Sequence, residues 1–266
     1  MKNIIILGVN ADIGRNIANL YLNNNYKVVG TYRKKKPEDI LLKHKKNFKF
    51  LKCDITNNND VRKLKFFIKK NKFKWNTIFS SVGTSQPIGK FFNINFKNWQ
   101  KSIDINFLSQ IKVVHSLHSL RDKKNISNIV FLAGGGTNNP FRFYSAYCIS
   151  KIALIKICEL IDDEYKDLNI FIVGPGFTKT KTHLETLKAG KNAGSNLKRV
   201  LNFLKSKNKG TSFEDIFKCI NWGIKKGKKI ASGRNFSVVH DKWGHLKLEK
   251  KLKLDKNMFK LRRYKN

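Results

Sequence analysis

The sequence has no apolar stretch approaching the ~18–20 residues that a membrane-spanning helix needs. Its opening, MKNIIILGVN, carries one Lys and an apolar run too short for a signal peptide, with no small-residue cleavage site behind it. Cysteine is scarce: Cys53, Cys148, Cys158 and Cys219 lie far apart, without a CxxC pair or any metal-ligand spacing. That usage reads as reduced thiols of a cytoplasmic protein and argues against both a disulfide framework and a metal site. The largest shortage is of acidic residues. Only 18 Asp and Glu stand against 55 Lys and Arg, a formal net charge of +37.

Arginine is short as well, with 46 Lys against 9 Arg. Arg supplies the planar fork that reads guanine and clamps phosphate, and no Arg cluster or aromatic-basic platform is present. Specific nucleic-acid binding is therefore not expected. The Lys excess travels with abundant Asn and Ile, the mark of an AT-rich coding sequence, and charges every solvated face. Attraction to polyanions at low salt follows from it and carries no specificity. What the chain does have is apolar material: 41% hydrophobic residues, including 20 Phe, in 266 positions. That is enough for a sizeable core and excludes global disorder.

Apolar strands alternate with helical patterns, which predicts an α/β fold with a doubly wound parallel sheet in a three-layer αβα arrangement. Strands are expected at Asn3–Leu7, Lys27–Tyr32, Phe48–Cys53, Thr77–Val82, Ile129–Ala133, Ile170–Val173 and Asn235–Val239. Helices are expected at Asp12–Leu22, Val61–Lys70, Trp99–Leu120, Ser145–Tyr165 and Phe213–Ile224. Residues 177–209 are polar and glycine-bearing, which suits a mobile flap, and His183 within them reads as a solvated loop histidine. Beyond Lys242, Lys and Leu alternate without a clear period. No repeat and no Gly-, Pro- or Ser-rich linker divides the chain. Residues 1–241 thus read as one domain and 242–266 as a basic C-terminal extension.

Two motifs point to chemistry. The first is Gly8-Val9-Asn10-Ala11-Asp12-Ile13-Gly14, where the first strand meets the first helix. Such a turn aims free N–H groups and the positive helix end at an anion, as in the binding of a dinucleotide pyrophosphate. Gly8 permits the tight turn, Gly14 a close helix–sheet approach, and Asp12 can cap the helix. An ordinary tight βα turn has the same look. The second motif pairs Tyr147 with Lys151 at i and i+4 of a helix, phenol and ammonium on one face. A nearby ammonium favours phenolate and draws the Tyr pKa down from ~10 toward the range of a working general acid. A surface pair in a Lys-rich chain is the plain alternative.

With both motifs in place the chain resembles the short-chain dehydrogenase/reductase family from Met1 to about Val239. The resemblance implies a single Rossmann domain, a nicotinamide cofactor, and a small carbonyl or alcohol substrate selected by the flap at 177–209. It places Tyr147 as general acid/base, Lys151 on the nicotinamide ribose and beside the Tyr, and Asn106 in a proton relay at a helix bend. Asp54, followed by Ile55, matches the family's Asp that bonds the adenine amino group, and Gly83 in Ser80-Ser81-Val82-Gly83 matches the glycine beside the adenosine ribose. Pro175-Gly176-Phe177-Thr178-Lys179-Thr180 matches the turn whose Thr178 backbone and Thr180 hydroxyl meet the nicotinamide carboxamide. A homodimer or homotetramer through the long helices is usual for the family.

Three departures qualify this. The family's substrate-binding Ser, about 13 residues before the Tyr, is Gly134 here, with Thr137 and Ser145 the nearest hydroxyls. Leu7 and Asp12 replace a usual Thr and Gly. At the end of the second strand Arg33 and Lys34–Lys36 stand where an NAD-selecting acid would be, so NADP is favoured with NAD possible. The expected function is hydride transfer between a nicotinamide cofactor and a carbonyl or secondary alcohol, tilted by a loose likeness in the tail toward a sugar-derived ketone. The alternative is a dinucleotide-binding protein whose redox activity is weak or lost with the Ser.

Overall fold

The computed structural model describes residues 2–208 and 210–263. Lys209, at the end of the expected flap, and residues 264–266 of the extension lie outside them, as does Met1.

Seven parallel strands form one sheet: β1 (Asn3–Leu7), β2 (Lys27–Tyr32), β3 (Phe48–Lys52), β4 (Thr77–Ser80), β5 (Ser127–Leu132), β6 (Leu168–Gly174) and β7 (Asn235–Ser237). Their order is β3-β2-β1-β4-β5-β6-β7, so the chain reverses its direction of travel across the sheet between β1 and β4. The central strands β1, β4, β5 and β6 are buried along nearly their whole length because both faces are covered, while the edge strand β3 interleaves Phe and Lys. Ile4 and Ile6 of β1 face one core with Ile17 and Tyr21 of α1 (Asp12–Asn23) and Ile216 and Ile220 of α9 (Phe213–Lys226). Ile5 and Leu7 face the other core with Leu64 and Ile68 of α3 (Asn58–Lys70) and Leu154 and Cys158 of α6 (Ser145–Glu164). The expected three-layer αβα fold is present. No described helix is long and apolar enough to cross a membrane.

Four local expectations are corrected. A short α2 (Glu38–Lys43) precedes β3. The helix expected at Trp99–Leu120 is α4 (Phe96–Ile103), a π-turn (Asp104–Leu108), α5 (Ser109–Leu117) and a 3₁₀ turn (His118–Leu120). Residues 177–209 are largely helical, with α7 (Thr182–Ala189) and α8 (Ser195–Lys205). Gly194 between them packs so tightly on Phe143 that a Cβ would stand 2.2 Å from its ring. The tail holds α10 (Leu246–Leu254), whose period is masked because only Leu252 and Glu249 are buried, with Leu248 packed in part against the core. Glu249 accepts from Trp222 Nε1 (3.1 Å) and Lys226 Nζ (2.7 Å), while Asn235 N–H of the edge strand donates to Phe259 O.

Candidate active site

The turn after β1 is held from three sides. Gly8 has φ +78°, left-handed backbone that glycine takes without strain. Its N–H donates to Thr31 Oγ1 (3.1 Å), and Ser81 Oγ donates to its carbonyl (2.9 Å). Gly14 lies against the same groups: a Cβ there would stand 2.2 Å from Ser81 Oγ and 2.4 Å from Gly8 O. Asn10 Nδ2 donates to Lys35 O, and its Oδ1 accepts from Arg15 Nη2 (2.7 Å). Asp12 does not cap α1; the cap position is Ala11, which offers no side-chain bond. Asp12 Oδ2 instead accepts from Lys181 N–H at 2.6 Å, so the carboxylate is drawn to the flap.

A cleft of about 740 Å³ runs along the carboxyl ends of β1, β2, β3 and β4, at the point where strand order reverses. Gly8, Asn10, Arg33, Asp54, Ile55 and Gly83 of the expected set line it, joined by Lys34 and Lys35. Ile13 packs against the core behind it and Gly14 is buried. Asp54 Oδ1 accepts from Thr56 N–H (3.0 Å) and Oγ1 (2.8 Å). Burial pushes this carboxyl up, but the Thr56 bonds and the nearby Arg33 and Lys101 outweigh it and hold it below its usual value.

Tyr147 and Lys151 stand beyond this lining, on the first turns of α6. Lys151 is buried; its Nζ donates to Leu132 O at 2.8 Å and lies 5.6 Å from the centre of the Tyr147 ring. The ammonium is thus over the ring, yet the phenol stands above its ordinary value and not below it as the spacing suggested. Burial pushes Tyr147 upward, and Cys148 and Glu185 push the same way. Burial also brings Lys151 down to about 8. Gly134 lies directly under Tyr147, since a Cβ on it would fall 1.9 Å from Tyr147 Oη. Ser145 Oγ is turned away to accept from Trp99 Nε1 (3.0 Å). Among the described residues, neither Thr137 nor Ser145 hydrogen-bonds Tyr147 Oη.

Asn106 is fully buried in the π-turn, which supplies the bend expected of it. Its Nδ2 donates to Thr84 O and its Oδ1 accepts from Thr84 N–H, each at 2.8 Å. Asn106 Oδ1 and Lys151 Nζ flank Gly83, 3.3 and 4.0 Å from where its Cβ would be.

The flap closes against this wall. Glu185 of α7 accepts from Ser85 N–H (2.6 Å), Ser85 Oγ (2.7 Å) and Thr84 Oγ1 (3.1 Å), and Tyr144 Oη bonds Thr186 Oγ1 (2.8 Å). Pro175 leads into Gly176 (φ +74°), where a Cβ would meet Val239 at 2.5 Å. Thr178 is buried, its hydroxyl without a hydrogen-bond partner among the described residues, and Thr180 O accepts from His183 N–H. His183 is not a solvated loop residue: it stacks on Phe177 (5.4 Å), meets Phe203 edge-on and holds Thr178 O at 2.9 Å. Thr31, Ser81 and Glu185, given no role of their own in the sequence, are thus structural members of the site. Only the fold brings them to it.

A sequence profile of the short chain dehydrogenases matches residues 2–190. The uncharacterized oxidoreductase YIR035C of Saccharomyces cerevisiae is 28% identical over 183 residues, 67% of this chain and 71% of its own length. Benzil reductase ((S)-benzoin forming) IRC24 of the same yeast is 27% identical over 141 residues, 50% of this chain and 54% of its own. The crystal structure of YIR035C superposes with a TM-score of 0.80 at 23% identity, covering 92% of this chain and 98% of that one. ElxO with NADP bound does so with a TM-score of 0.73 at 21% identity, covering 89% and 96%. The matched profile, the parallel sheet and the named oxidoreductase relatives together make this chain a member of the short-chain dehydrogenase/reductase family, an oxidoreductase built on a Rossmann-like fold.

Proposed function

We propose that the protein moves a hydride between NADP(H) and a carbonyl compound or secondary alcohol, with Tyr147 as the acid/base. The observation that carries this reading is the packing of Lys151 over the Tyr147 ring, with Tyr147 Oη seated on Gly134 at the carboxyl edge of β5. A bound nicotinamide supplies or accepts the hydride. The cleft fits a dinucleotide: Gly8 and Asn10 would face the pyrophosphate, Asp54 and Ile55 the adenine, and Gly83 the ribose. Arg33 and Lys34, free of any acidic neighbour on that strand end, would take a 2′-phosphate. Pro175, Gly176, Thr178 and Thr180 form the turn assigned to the carboxamide, with Asp12, Ile13 and Gly14 shaping the pyrophosphate turn from behind.

In the reducing direction Tyr147 gives its proton to the substrate oxygen. Its high pKa keeps that proton in place until an alkoxide develops to receive it. The Lys151 ammonium stabilises the phenolate left behind, and Asn106, across Gly83 from Lys151, continues the proton path. The missing Ser removes one donor to the alkoxide, a loss of ~10²–10³ in turnover where such donors have been deleted. That same loss favours the second reading, cofactor binding with weak redox activity. Leu108 and Ile149, exposed on the long helices, support assembly as a homodimer or homotetramer. Four free cysteines suit a cytoplasmic setting.

The test is a fluorescence titration with NADPH and NADH at ~150 mM salt, where the excess charge is screened. NADPH is expected to bind more tightly, with Arg33→Asp reversing the order. NADPH oxidation by carbonyl compounds should then vanish in Tyr147→Phe. Equal, feeble binding of both cofactors overturns the proposal; tight binding without turnover favours the second reading.

A further inference from the structure

Tyr147 packs in an apolar cluster. Ile88, Tyr144 and Ala193 are buried together there, and Phe141, Phe143 and Leu197 pack on them beside Tyr147. Phe141 and Tyr144 stack at 4.3 Å. Ile88 comes from the loop after β4, the aromatic residues from the segment before α6, and Ala193 and Leu197 from the flap. The flap's underside is therefore an apolar surface laid against the catalytic Tyr.

The polar groups of this region are already bonded to one another. Tyr144 Oη is held by Thr186, and the Glu185 carboxylate accepts from three donors, Thr84 Oγ1, Ser85 N–H and Ser85 Oγ. A polyol entering here would find few free partners for its hydroxyls, and burying them unpaired is costly. An anionic substrate would meet Glu185. In a chain of formal charge +37, whose general field draws anions in, this carboxylate opposes that attraction at close range. Thr84, which it grips, is tied by two bonds to Asn106, so the carboxylate is fixed in the wall.

We propose that the substrate is an uncharged carbonyl compound with an apolar aryl or branched-alkyl body, and that Glu185 is the residue that turns away its carboxylated analogues. This rests on the redox reading above and names its substrate class. It sets aside the sugar-derived ketone expected from the sequence.

The test uses one keto skeleton in two charge states, ethyl benzoylformate and benzoylformate, each reduced with NADPH, and an aldohexose oxidised with NADP⁺. The wild type is expected to prefer the ester over the acid, and Glu185→Gln to narrow the ester-to-acid ratio of kcat/KM about tenfold, as removal of a close like charge does. Thr84→Val loosens the flap contact but keeps the charge, so it should leave that ratio in place. The inference is overturned if the acid is used as well as the ester, if the hexose is the preferred substrate, or if both variants shift the ratio equally. Hexose turnover would leave the redox reading standing. NADPH binding with no turnover of any of the three would bring down both.

Discussion

Tyr147 Oη occupies the place where a side chain on Gly134 would begin, 1.9 Å from the position of its Cβ. The family's serine is therefore not simply missing from this chain; the tyrosine fills the space. Restoring it by Gly134→Ser is expected to lower kcat/KM at least tenfold instead of raising it. Overpacking of this kind costs ~1–3 kcal/mol, which for a chain of this size lowers Tm by a few degrees. In a Tyr147→Ala background the same substitution should cost less than half as much, which a double-mutant cycle measures. A more active Gly134→Ser enzyme would sink this account.

Lys151 predicts the pH profile of reduction. Burial lowers it to about 8, so its ammonium is present below that pH and lost as the pH rises through it. The phenolate formed at Tyr147 then loses its counter-charge. Reductive kcat should be flat below about pH 7.5 and fall above about 8. Lys151→Arg, whose charge persists to higher pH, should retain some activity and move the decline upward. A profile that keeps rising through pH 9 contradicts the role given to Lys151.

Much of this was legible in the sequence, where local chemistry is strong. β1 and its turn show as an apolar run ending in Gly8, and α6 shows through twenty residues of helical spacing. The π-turn at Asp104–Leu108 was not legible in the apolar period, which five residues with a widened hydrogen-bond ring leave almost unchanged; the resemblance alone placed a bend at Asn106. Nor was α10 legible, where Leu246, Leu248, Leu252 and Leu254 suggest alternation while only Leu252 and, in part, Leu248 reach the core. At the site, Glu185 meets partners 100 and 101 positions away, and the seating of Tyr147 Oη against Gly134 shows only in the fold. Tertiary contacts of that span leave no local trace.

The cofactor turn depends on a three-way contact among Gly8, Gly14 and Ser81. Gly14→Ala drives a methyl to 2.4 Å from Gly8 O, backbone that cannot move without opening the turn. NADPH affinity should fall by more than tenfold. Ser81→Ala removes one of the two donors to Gly8 O, leaving the Ala11 N–H, and adds no bulk, a loss of ~0.5–1.5 kcal/mol. Its affinity should fall less than that of Gly14→Ala. Removing both should not rescue binding, because the clash with Gly8 O remains; isothermal titration of the three variants decides it.

Arg234 ties the tail to the site. It is 4% exposed, and its guanidinium donates to the carbonyls of Ile230, Leu252, Asp255 and Met258. Four acceptors on three segments need the planar fork, so Lys cannot replace it. Arg234→Met should destabilise the protein by ~2–4 kcal/mol, and Arg234→Lys should recover less than half. The consequence reaches the cofactor end of the molecule through β7. Val238 N–H donates to Gly174 O, and Val239 packs where a Cβ on Gly176 would be, so the turn that continues β7 braces the Pro175–Gly176 turn. Loosening the tail should therefore raise KM for the cofactor more than it lowers kcat. Urea midpoints and cofactor KM for the two variants test both halves: an unchanged midpoint removes the structural role, and a lower midpoint with unchanged KM removes the link from tail to turn.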